Sequence, residues 1–134
     1  MSPIAALIIF ALTTMAALMV EILYTYATQG IGFGFSSNRP HVERTPLALR
    51  VQRAYQNQVE SAAYIVPVLA VVAFLDLNTP VAQATAAIIV FGRIAFILLY
   101  YTGIPFIRIL GFMCGSFGSL YMVFLLVTSG ALTS

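Results

Sequence analysis

The run from Ile4 to Thr28 is apolar for about 25 residues, with Glu21 as its one charged interruption. A helix of that length crosses a hydrocarbon core about 30 Å thick. A signal peptide has an apolar stretch of only about 7–15 residues behind a basic segment, and no basic residue precedes Ile4. The run is therefore read as a retained first transmembrane helix, with Glu21 reaching an interface or pairing with an Arg of the bundle. Three further apolar stretches follow it. Charged residues make up 7% of the 134 residues and apolar residues 61%, against a charged share of about a quarter in soluble proteins. So few charges cannot cover a soluble surface. The sequence predicts a single domain over residues 1–134, an all-α integral membrane protein built as a four-transmembrane-helix bundle.

The connections are legible from their breakers. Gln29 to Arg44 is the one long polar segment, punctuated by Gly30, Gly32 and Gly34 and by Ser36-Ser37-Asn38-Arg39-Pro40. No strand precedes those glycines and no Gly-Lys-Ser/Thr follows, so the segment reads as a loop and not a phosphate cradle. Thr45-Pro46 is a helix start, a capping hydroxyl before a first-turn proline. The second helix runs to about Leu75 and contains Pro67, a candidate kink. Asp76–Asn78 turns the chain, and Thr79-Pro80 repeats the device and opens a third helix to about Tyr101. Gly103-Ile104-Pro105 breaks the chain again, and a fourth helix covers Phe106 to Thr128. Within it, Gly111 and Gly115 form a Gly-x-x-x-Gly pattern with Ser119 one step on, a spacing that lets helices approach closely in lipid.

The densest polar cluster is Arg50-Val51-Gln52-Arg53-Ala54-Tyr55-Gln56-Asn57-Gln58-Val59-Glu60. On a helix, Arg50, Arg53, Asn57 and Glu60 fall within roughly 80° of one another, and Tyr64 joins the stripe. Two cations, an amide, a carboxylate and a phenol thus line one face of a segment entering a membrane. Ionisable groups at that depth are costly unless they pair or face a cavity, which makes them functional candidates. The third helix places Arg93, Phe96 and Tyr100 on one face. By helical rise Glu60 and Arg93 lie at similar depth, so a structural ion-pair network of Glu60 with Arg93, joined by Glu21, is expected. Cys114 is alone, which excludes an intramolecular disulfide and a Cys-based zinc site. It reads as a packing residue, and His41 has no partners at ligand spacing. No metal is expected.

All six cations are Arg. Arg39, Arg44, Arg50 and Arg53 surround the first connection and Arg108 follows the third. The positive-inside rule puts these connections in the cytoplasm and both termini outside. The net charge of +2 is small and local, so nucleic acid is not an expected partner.

Arg50-x-x-Arg53-Ala54-x-x-Asn57-x-x-Glu60 at the start of a second transmembrane helix resembles the signature of the MAPEG proteins, the membrane-associated proteins of eicosanoid and glutathione metabolism. The resemblance, to a prokaryotic-type member, extends over nearly the whole chain. It takes in Ser37-Asn38-Arg39 and Arg93-x-x-Phe96-x-x-x-Tyr100 followed by Gly103-x-Pro105-x-x-Arg108. It implies a homotrimer of four-helix subunits that binds glutathione as co-substrate between neighbours, near the cytoplasmic side, and acts on a lipophilic small molecule from the bilayer. The positions matching Arg53, Asn57, Glu60 and Tyr100 contact glutathione in the family, and Arg50 belongs to the same cluster. Arg108 resembles an arginine assigned to thiol activation, so Arg108 and Tyr100 are the catalytic candidates. The chain departs from the pattern at Phe96, where several relatives have Tyr or His. It departs again at Thr28-Gln29-Gly30, where some synthases carry an arginine.

The side chains suit that ligand on their own chemistry. Glutathione carries two carboxylates, an ammonium and a thiol. Arg holds a carboxylate through paired hydrogen bonds, Glu60 accepts from an ammonium, and Asn57 can both donate and accept. A thiol needs its thiolate form to attack, and a nearby guanidinium favours that form. Conjugation of lipophilic electrophiles and reduction of hydroperoxides both fit. The alternatives are a non-catalytic lipid-binding or scaffold protein of the same fold, a transporter, or a cluster that merely glues helices together. Four short helices with no broken pair speak against transport.

Overall fold

The computed structural model describes residues 1–37 and 45–133, with the backbone alone for Gly34, Ile107 and Arg108. Five helices account for nearly all of it: α1 (Pro3–Gln29), α2 (Ile31–Phe35), α3 (Pro46–Phe74), α4 (Pro80–Thr102) and α5 (Ile107–Thr128). No strand occurs among the described residues. All but α2 are long and apolar enough to cross a membrane.

Three of these helices start in the same way. The hydroxyls of Ser2, Thr45 and Thr79 accept from the backbone N–H of Ala5, Ala48 and Ala82 at 3.1, 3.2 and 3.2 Å. A proline follows each cap, where its missing N–H costs nothing. The first helix therefore begins one residue before the expected Ile4. Its end is set by Gly30, whose φ of +87° suits glycine and stops the helical ladder. The expected loop after it opens with the short α2, whose Phe35 ring stacks on Tyr26 at 5.7 Å. The Asn38–Arg44 portion lies outside the described residues, and with it Arg39, His41 and Arg44. Helix α3 continues unbroken through Pro67.

Short connections after α3 and α4 make α3, α4 and α5 consecutive antiparallel neighbours. Helices α3 and α4 each touch the other and both outer helices, whereas α1 and α5 stay apart. The central pair thus carries most of what is buried. One core cluster joins Phe10, Ile65, Leu69, Ile89, Met122 and Leu126, among others. A smaller one joins Ala17, Ala54, Phe96 and Ile97. Polar side chains of α3 and α4 lie between the two.

The seam between α4 and α5 is closed by glycines. A methyl group on Gly111 would stand 2.7 Å from the Gly92 carbonyl oxygen and 2.9 Å from the Phe96 backbone nitrogen. One on Gly118 would stand 2.6 Å from Ile89, and one on Gly92 would collide with Cys114. The Gly-x-x-x-Gly pattern is therefore consumed inside the chain, against α4, and gives no support to assembly between chains. Cys114 packs in that seam. Large apolar side chains such as Phe74, Phe106, Leu110, Phe117 and Leu120 point outward on the other faces, as expected where the solvent is lipid.

Candidate functional site

Helix α3 has two faces of opposite character. Its buried residues are Ala48, Val51, Ala54, Gln58, Ser61, Ile65, Leu69 and Val72, spaced by three and four. Arg53, Gln56 and Glu60 stand on the far side of the helix and are exposed, with Asn57 half-buried beside them. Gln56 Nε2 donates to Glu60 Oε1 at 3.3 Å. Of the stripe predicted from the sequence, Arg53 and Glu60 face away from the bundle's core, while Arg50, Asn57 and Tyr64 are half-buried.

Depth follows from one contact. Arg50 Nε donates to the Tyr101 carbonyl at 3.2 Å, which fixes the start of α3 beside the end of α4. Its guanidinium covers Gly103, whose φ of +78° terminates α4. A cation at a helix C-terminus is favourable, so Arg50 has a structural task in addition to its place in the cluster. Glu60 lies ten residues further along α3, about 15 Å deeper at 1.5 Å per residue.

Arg93 departs from expectation. It is wholly buried, at 0% exposure. Its Nε donates to Gln58 Oε1 at 3.1 Å and its Nη2 to Asn57 Oδ1 at 2.8 Å. The guanidinium lies over the Phe96 ring, 4.4 Å from its centre. The expected Glu60–Arg93 ion pair is not formed within the chain. Glu60 is on the outer face of α3, and Arg93 is on the inner face of α4, so two neutral amides take the carboxylate's place. The side-chain hydrogen-bond partners of Arg93 are Gln58 and Asn57, and Glu21 is not among them. Gln58 is the residue that sequence reasoning missed. Its signal was a polar side chain in the register of Val51, Ala54 and Ile65.

Phe96 is a packing residue. It is buried beneath Arg93, with the Tyr100 ring tilted against it at 5.4 Å and Phe112 at 6.3 Å. Tyr100 is half-buried at the same end of the bundle as Arg50. Arg108 is the second residue of α5 and lies across the four-residue connection from α4. Its side chain is outside the description. Deeper along the stripe, a groove of about 370 Å³ opens between α3 and α5, lined by Tyr64, Val68, Ser116 and Leu120 among others. No group of three or more His, Cys, Asp or Glu suited to a metal occurs among the described residues.

Neither a curated protein nor a solved structure matches the chain. The model of the MAPEG family does, over residues 2–128, and that span contains all four long helices and the α3 stripe. Length, helix order and motif placement agree with this match, and the chain belongs to the MAPEG family.

Proposed function

We propose that the protein is a membrane-embedded, glutathione-dependent transferase or peroxidase that works as a homotrimer. The observation that carries this reading is the exposure of Arg53, Gln56 and Glu60 on α3, a helix long and apolar enough to cross a membrane. A charge facing lipid at the centre of a bilayer costs about 2.5–3.5 kcal/mol or more, and less toward its surface. A second subunit and a polar ligand between the two remove that cost. Glutathione matches the groups on offer, with Arg53 for a carboxylate and Glu60 for the ammonium. Tyr100 and Arg108, near the connection between α4 and α5, would stabilise the thiolate. The site then opens to the cytoplasm, by the arginine distribution.

In conjugation, the thiolate sulfur forms a bond to an electrophilic carbon, and the leaving group departs with the electron pair. In peroxide reduction, two glutathiones become a disulfide while the hydroperoxide becomes an alcohol and water. The lipophilic partner arrives through the bilayer, and the α3–α5 groove beside Tyr64 is apolar enough to hold it. That groove also favours a second reading, a lipid-binding protein of the same fold without catalysis. Glutathione-dependent turnover of a generic aryl halide by the detergent-purified protein separates the two. Turnover well above that of the Arg53→Ala, Arg108→Ala double variant supports the enzyme. No difference between them supports lipid binding.

A further inference from the structure

Two hydrogen-bond relays leave Arg93. A guanidinium has five donors and no acceptor, so each amide that meets it must present its oxygen. Gln58 does so with Oε1. Its Nε2 consequently points the other way and donates to Thr14 Oγ1 at 3.1 Å. The Thr14 hydroxyl in turn donates to the Phe10 carbonyl at 3.0 Å. This relay runs from α4 through α3 to α1 and ends on a backbone acceptor inside the chain. The second relay passes through Asn57 Oδ1 and stops at the Asn57 amide nitrogen, which has no acceptor among the described residues. Asn57 is half-buried and lies one turn from both Arg53 and Glu60.

We propose that Arg93 is a positioning residue that fixes the Asn57 side chain with its N–H pair toward the outer face, so that Asn57 meets glutathione only as a donor. Its partner is then an acceptor oxygen of the tripeptide, a carboxylate or a peptide carbonyl, and not the ammonium. Arg53 and Asn57 supply donors, and Glu60 is left as the one carboxylate of the stripe. The polarity of the stripe orients glutathione along α3, with its ammonium toward the deeper Glu60. This inference rests on the glutathione reading above and adds the direction of one hydrogen bond to it.

The test uses the full chain in detergent and the variants Asn57→Asp and Asn57→Ala. Aspartate keeps the size and an oxygen for Arg93 but removes the N–H donors. Glutathione affinity is expected to fall about 10- to 100-fold in Asn57→Asp. A deaminated glutathione analogue should show the same fold loss, because the ammonium is not Asn57's partner. Melting of Asn57→Asp should occur at or above that of Asn57→Ala, since its carboxylate partners the buried guanidinium. Equal or tighter glutathione binding by Asn57→Asp overturns the inference and leaves the functional reading standing. Melting below Asn57→Ala overturns the Arg93–Asn57 bond, whatever the affinities. Wild-type protein that binds no glutathione removes both the functional reading and the donor role.

Discussion

The arginines of this chain occupy different environments, and their substitutions should read differently. Arg53 is exposed on the outer face of α3 and free to clamp a carboxylate in ground and transition states alike. Arg53→Ala should mainly raise KM for glutathione. In the proposed mechanism Arg108 acts on the charge at sulfur, so Arg108→Ala should mainly lower kcat and raise the pH at which the thiolate forms. A charge-assisted hydrogen bond is worth about 1.5–3 kcal/mol, so each loss is about 10- to 150-fold. Steady-state kinetics, with thiolate absorbance followed against pH, checks both. Arg93 shows where residue-level reading stopped. Its depth matched that of Glu60, as the rise per residue implied, but depth leaves azimuth open. Glu60 lies opposite the core-facing register of Val51, Ala54 and Gln58. That register was available from the spacing alone, and it is what denies Arg93 the carboxylate and gives it Gln58.

At the scale of the helix, starts were easier to read than interfaces. Thr45-Pro46 and Thr79-Pro80 mark two N-termini, and Ser2-Pro3 is the same device ahead of the apolar run. Caps are local chemistry, so the residues alone reveal them. The partner of a glycine row is not local. Gly111 and Gly115 announced a close approach, but only the packing says that α4 of the same chain fills it. The consequence is measurable. Gly111→Ala places a methyl group against the backbone of Gly92 and Phe96, where neither side yields easily, and should destabilise the bundle by about 1–3 kcal/mol. Gly32→Ala, with nothing near its added carbon, should leave stability unchanged. Thermal melting in detergent compares them, and equal losses would remove the seam from the account.

At the scale of the whole molecule, four spans were legible in the sequence, because lipid demands long apolar helices, and the arginine distribution predicts that both termini lie outside. Cysteine labelling at Ser2 and Ser134 in a Cys114→Ser background should reach both ends from outside only. Labelling of either end from the cytoplasm alone would reverse the orientation. Among the described residues nothing covers Arg53, Gln56 and Glu60, and in the proposed trimer a neighbouring subunit supplies that cover. Native mass spectrometry in mild detergent with added glutathione tests that claim most directly. The account predicts a species of about three times the 14.5 kDa chain that carries glutathione and loses it in the Arg53→Ala variant. A clean monomer or dimer, or a trimer whose glutathione is unaffected by Arg53→Ala, would contradict it.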